Sequence, residues 1–177
     1  MVKSKTVKSA LSQLIPLWDD HFYWTRMFIQ DFASNAASLD ETLKRLAQNY
    51  RDLGTNLGIF YGEKNGMKYE DLLTKHILQA KEILETAVAG QDLTPKLQAW
   101  SANGKEIADF LSSLNSKIDK KEMEAHMQMH LDTTLDEAKA ILAKDWVSSV
   151  AKGDIALKTV REMANRIQSA WKKKFKK

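Results

Sequence analysis

The sequence predicts an all-α protein, a single-domain helical bundle of four long helices plus one or two short helices. Glycine (7) and proline (2) are few in 177 residues, whereas the good helix formers Ala, Leu, Lys and Glu are common. Apolar residues recur at spacings of three and four, and no segment alternates at period two for long enough to indicate a strand. A hydrophobic content of 44% is enough to fill one core.

The first helix is expected to begin at Pro16, because proline suits the first turn of a helix. The segment around and after Pro16 has one continuous apolar face, made by Leu14, Trp18, His21, Thr25, Phe28 and Phe32. Ser38 and Glu41 form a capping box for a second helix. Gly54 and Gly58, with the segment YGEKNG, then indicate a region of short turns.

The third helix is expected from Asn65 to Gly90, since a glycine after the last periodic position is typical of a helix C-terminus. A fourth helix is predicted to have Thr94 as its N-cap and Pro95 in its first position. Its apolar pattern ends near Asn115. These three helices are therefore separated by short connections.

Two more capping boxes follow in the last third of the chain. Asp119 with Glu122 predicts a helix over the segment KKEMEAHMQMHL. Thr134 with Glu137 predicts that another helix opens there and runs to about Lys173. These boxes complete the predicted bundle.

Eight lysines at the two ends carry more positive charge than the formal net charge of +4. The rest of the chain is therefore mildly acidic. We expect one domain over residues 1–177 with basic flexible ends at about 1–8 and 172–177. Trp171 and Phe175 lie among the C-terminal lysines, a composition that suits contact with an anionic membrane or nucleic acid. The alternative is a solvated end whose lysines favour the helix dipole.

Composition also limits the chemistry and the location. The chain has no cysteine, which excludes disulfides, thiolate metal sites and cysteine nucleophiles. The apolar run ALSQLIPLW is short and is followed at once by Asp19 and Asp20, so it is a poor signal peptide. No stretch approaches the roughly 20 apolar residues of a membrane span. We therefore expect a soluble, cytoplasmic protein.

Three of the four histidines, His21, His76 and His130, lie on the apolar faces of three different predicted helices. If those helices are neighbours, the imidazoles converge inside the bundle. Neutral imidazole is the commonest protein ligand of transition metals, so the pattern predicts a site for iron, zinc or copper. The alternative is an internal polar network of hydrogen-bonded histidines without a metal.

The segment EMEAHMQMH adds His126, one turn before His130. The two histidines could share a helix face, and Met123 and Met127 lie near it, which would suit copper(I). Methionine is also an ordinary filler of helical cores, and no second methionine cluster completes a soft site. His130 is therefore the better candidate ligand, with His126 in a secondary position.

No catalytic motif is recognised, so the sequence leaves enzymatic activity undecided. A di-iron carboxylate bundle is disfavoured, because none of the four histidines follows a glutamate by three residues. Phosphate-binding loops and the HExxH motif are absent from the sequence. Arg26 adjoins the first-helix face, where it either binds an anionic ligand or pairs with Asp71 or Asp109; we favour the pair.

The segments LWDDHFYWTR, FYGEKNG, LLTKHI, WSANGKEIADFLSSLN and MHLDTTLDEAKAIL resemble those of a group of small uncharacterised bacterial helical-bundle proteins. The shared patterns are W-x-x-H-x-x-W-T-R, Tyr-Gly before a helix with L-L-x-x-H, W-x-x-N-x-x-x-I-A-x-F-L-S and H-L-x-x-T-x-x-E-A. The resemblance implies a common fold and an internal polar constellation, and it implies no known activity. The positions that match are His21, Trp24, Thr25, Arg26, Tyr61, Gly62, His76, Asn103 and His130.

The leading hypothesis is a bundle that binds a transition metal or a small polar ligand through His21, His76 and His130. Arg26, Tyr61, Asn103 and His126 are candidates for the groups around those ligands. The alternative is an interaction protein whose histidines are structural and whose C-terminal tail contacts a membrane surface or nucleic acid.

Overall fold

Six helices make up nearly all of the chain between residues 2 and 175, the part described by the structure, a computed structural model; side chains are described from residue 7. They are α1 (Val2–Ser34), α2 (Leu39–Tyr61), α3 (Glu63–Val88), α4 (Thr94–Leu114), α5 (Lys120–Leu142) and α6 (Trp146–Phe175). No strand occurs among the described residues, so the all-α class is confirmed. The predicted division into four long and one or two short helices is not matched, because all six helices are long: α4, the shortest, has 21 residues.

The helices form a closed ring in chain order. Each packs against the next, α6 returns to pack against α1, and α1 also touches α5 across the bundle. Connections of one to five residues make consecutive helices antiparallel, so α1, α3 and α5 run in one direction. The core lies at the centre of this ring, which places the inward faces of α1, α3 and α5 within reach of one another.

The glycines of the second helix do not form turns, contrary to the sequence prediction. α2 continues through Gly54 and Gly58, and the reversal into α3 is made by Gly62 alone, with φ of 91°. Gly54 and Gly66 bring the two backbones together: a Cβ on Gly54 would lie 2.8 Å from the Gly66 carbonyl oxygen. These glycines therefore permit close helix packing rather than breaking the helix.

The capping box predicted at Thr134 is wrong, because α5 runs without a break from Lys120 to Leu142. The chain turns instead at Lys144, which has φ of 56°, and α6 starts at Trp146. Glu137 is 2% exposed and faces the core, so it does not cap a helix end. The predicted N-cap at Asp119 is confirmed, since its side chain accepts a hydrogen bond from the Glu122 N–H, whereas the Glu122 side chain pairs with Arg166.

The ends of the bundle also differ from the prediction. α1 begins at Val2 rather than at Pro16, which lies inside it, and the missing proline N–H leaves the Ser12 carbonyl without its helical partner. α6 remains helical to Phe175, so helix occupies most of the two segments expected to be flexible. Residues 176–177 lie outside the described part. No described helix has the length and apolar character to cross a membrane.

Candidate functional site

Three buried imidazoles from α1, α3 and α5 meet in the core. His21, His76 and His130 are 2%, 4% and 4% exposed. The centroid of the His130 ring lies 5.6 Å from that of His21 and 5.9 Å from that of His76. The convergence expected from the sequence is thus observed, with His130 between the other two rings.

A hydrogen bond to a residue of α4 fixes the tautomer of His76. The Asn103 amide nitrogen donates to the Leu72 carbonyl oxygen at 3.3 Å, and its oxygen lies 2.8 Å from His76 Nδ1. Because the amide oxygen can only accept, His76 Nδ1 carries the proton and Nε2 has a free lone pair. The Trp100 ring stacks on the imidazole with centroids 5.1 Å apart and fixes its plane.

The other two rings are held by neighbours on their own helices and on α2. Thr134 Oγ1 lies 3.4 Å from His130 Nδ1, one turn along α5. Trp18 and Tyr50 flank His21, with ring centroids 5.3 and 5.9 Å from it. Two aromatic rings therefore separate His21 from solvent.

Burial keeps all three imidazoles neutral. Burial lowers the pKa of His21 to about 3, with the nearby His76 as the second cause and the Asn49 amide partly offsetting both. Burial likewise lowers the pKa of His76 to about 4, against the hydrogen bond that His76 donates to Asn103. For His130, burial and then the neighbouring histidines hold the pKa well below its usual value. Neutral imidazole is the form that binds metals.

Several polar atoms around these rings are buried without a hydrogen-bond partner in the described part of the chain. They are Trp18 Nε1, Thr25 Oγ1, Tyr50 Oη and His76 Nε2. Further such atoms occur on other residues, among them Arg45, Asn56, Gln79, His126 and Trp171. Buried polar groups are nearly always paired in folded proteins, so these atoms are free to bond to a ligand or to water.

Comparison with protein families, curated proteins and solved structures finds no match to this chain. The resemblance to the bacterial helical-bundle group therefore stays a prediction. The chemistry of the site has to be argued from its own residues.

Three imidazoles are suitable ligands for a metal ion, but their rings lie farther apart than in an occupied site. Three imidazoles around one tetrahedral ion, with metal–nitrogen distances of about 2.0–2.1 Å, have ring centroids about 5 Å apart. The His130 centroid lies somewhat farther than this from each of the other two. Accordingly, no group of three or more His, Asp or Glu side chains among the described residues is already arranged to hold an ion. Binding would require the rings to move inward.

Arg26 pairs with a carboxylate, as favoured from the sequence, but with a different one. Its guanidinium donates to Glu137 Oε1 of α5 and to the Ser149 hydroxyl of α6, the latter at 3.1 Å. The expected partner Asp109 instead accepts from Lys120 at 2.7 Å. The Arg26 charge is therefore neutralised, which leaves it poorly suited to binding an anionic ligand.

Tyr61 and His126 are not brought to the three histidines. Tyr61 lies eleven residues beyond Tyr50 on α2, about 16 Å along the helix axis, where its hydroxyl accepts a hydrogen bond from Asn115 at 3.0 Å. His126 is only partly buried, and its ring lies near charged residues of α5 and α6. Neither contributes to the central site.

The methionines of EMEAHMQMH act as core fillers. Met123 and Met127 are each 2% exposed. A Cβ on Gly104 would touch the Met127 side chain at 3.8 Å, so that methionine packs against α4. This packing accounts for its place in the sequence without a copper(I) site.

The aromatic residues of the C-terminus are packed into the bundle. The Trp171 ring is 1% exposed and lies 4.5 Å from that of Phe60, and the Phe175 ring lies 5.3 Å from that of Tyr61. Insertion of Trp171 into a membrane, or its stacking on a base, would require the end of α6 to detach. This packing disfavours the aromatic half of the tail hypothesis.

Sequence reasoning missed the residues that enclose the three rings. Trp18 and Thr134 stand three and four residues from a site histidine, so helical spacing alone could have identified them. Tyr50 comes from α2, and its part in the site depends on how deeply α2 sits against α1. No local pattern in the sequence encodes that depth.

Proposed function

We propose that this protein binds one transition-metal ion in its core, with His21, His76 and His130 as the protein ligands. The observation that supports it best is the pairing of His76 with Asn103. An amide that accepts from one ring nitrogen leaves the other as a lone-pair donor, and histidine ligands of metals usually have such a partner. Three neutral imidazoles on three helices then supply enough donors for a single ion.

Iron, zinc and copper are the candidate ions. Imidazole suits all three, and a site with three histidines leaves one position open in a tetrahedral centre. The set has no carboxylate like that of the two-histidine iron oxygenases. Zinc and copper therefore match the donors better than iron does.

The decisive experiment is elemental analysis of the untagged protein after incubation with iron(II), zinc or copper salts. We expect about one ion per chain, lost in each of the variants H21A, H76A and H130A. The matched control is H126A, which removes a histidine from the same chain outside the proposed site and should keep the full metal content.

Two outcomes would overturn the proposal. The first is wild-type protein that takes up none of the three metals, and the second is folded H76A protein that retains its ion. Either result would favour the other hypotheses for these histidines, an internal polar network or a site for a small polar ligand. Circular dichroism of each variant establishes that metal loss does not result from unfolding.

A further inference from the structure

The proposed metal site has an uncompensated charge. Among the described side chains, Glu137 is the one buried carboxylate. It lies seven residues beyond His130, about 10 Å along α5, and it is already paired with Arg26. A divalent ion held by three neutral imidazoles would therefore add two positive charges to the core. Burying charge without a counter-charge is costly, so the site calls for an anion.

Two hydrogen-bond donors without partners stand beside His21. The Trp18 Nε1–H and the Tyr50 hydroxyl are both buried and unpaired within the described residues. An indole N–H can only donate. A tyrosine hydroxyl can donate as well as accept. Fixed donors in a dry core are the groups that stabilise a negative charge.

We propose that a small inorganic monoanion binds next to His21 as a further ligand of the metal, held by the Trp18 Nε1–H and the Tyr50 hydroxyl. This inference rests on the proposed metal site. The anion has to be small, because Trp18 and Tyr50 are 2% and 1% exposed. An ion the size of azide or nitrite meets that condition.

The test is a titration of the copper(II)-loaded protein with azide, followed by its charge-transfer absorption. We expect saturable binding in the wild type. A hydrogen bond to a charged group is worth enough that Y50F should raise the Kd for azide by about 10-fold or more. Copper content at saturating copper is measured in the same samples, so that weaker azide binding is distinguished from loss of the metal.

The matched control is Y69F, which alters another buried tyrosine, one stacked on Phe110 and away from the histidines. Its Kd for azide should equal that of the wild type. If the loaded wild type binds no azide, or if Y50F binds azide as tightly as the wild type, the anion inference fails while the metal site stands. If the wild type binds no metal, the proposed function fails and the anion inference fails with it.

Discussion

At the scale of single residues, Asn103 decides which nitrogen of His76 is free. Its side-chain oxygen accepts from Nδ1 while its amide group is anchored on the Leu72 carbonyl of α3. We expect N103A to lower metal affinity by about 10–100-fold, the usual cost of losing such a partner, because both tautomers of His76 then become available. Competition against a chelator of known affinity would measure the change.

A suitable control for this variant is N56A. Asn56 is also a buried amide and donates to the Ala10 carbonyl at 2.9 Å, away from the three rings. N56A should destabilise the fold through the loss of a comparable hydrogen bond, and it should leave metal affinity unchanged. Equal affinities of N103A and the wild type would mean that Asn103 has no part in the site.

The residue scale also separates what helical spacing predicts from what it cannot. His21, His76 and His130 were identified because each falls on the apolar face of its own helix, which is a local property. The partner of Arg26 was misassigned because an ion pair depends on which helices are neighbours. Glu137 looked like half of a capping box, whereas its burial against α1 and α6 makes it the partner of Arg26.

At the scale of helices, the contact between α2 and α3 depends on glycines, because a side chain would not fit between the two backbones. A Cβ on Gly66 would meet backbone atoms, the Gly54 oxygen at 2.5 Å and Gly58 Cα at 3.1 Å. Backbone cannot move aside as a flexible side chain can, so G66A should lower the free energy of unfolding by about 1–3 kcal/mol. Urea denaturation of the metal-free protein would measure it.

Gly58 gives the comparison for that variant within the same contact. A Cβ there would have its nearest neighbour at 3.6 Å, an ordinary contact. Since alanine favours helix over glycine by up to about 1 kcal/mol, G58A should be neutral or stabilising. Destabilisation of the same size by both variants would contradict the close-packing explanation.

Several helix ends were predictable, and the errors at Gly54 and Gly58 have one physical source. Caps and turns at Asp119, Gly90 and Asn115 follow from local hydrogen bonding and backbone conformation, which the sequence encodes directly. Gly54 and Gly58 were read as turns because glycine serves both turns and close helix contacts. Only the partner helix distinguishes these two uses, and a partner is a tertiary property.

At the scale of the whole molecule, three neutral histidines in the core make stability depend on pH. In the unfolded chain, histidine binds a proton near pH 6.5. In the fold the pKa of His21 is lowered to about 3 and that of His76 to about 4, and that of His130 also lies well below 6.5. Below pH 6.5 the unfolded state therefore binds more protons, so acid favours unfolding and stability is greatest above that pH.

Replacing one of these residues isolates its share of the effect. Each buried histidine contributes a slope of up to about 1.4 kcal/mol per pH unit once its unfolded form is fully protonated. In metal-free protein, H76Q should therefore reduce the pH dependence of the unfolding free energy by nearly that amount between pH 5.5 and 4.5. Urea denaturation at several pH values measures this slope, which is insensitive to any constant loss of packing caused by the substitution. If H76Q left it unchanged, His76 would have to be protonated in the fold as readily as in the unfolded chain, and the dry core around the three rings would be ruled out.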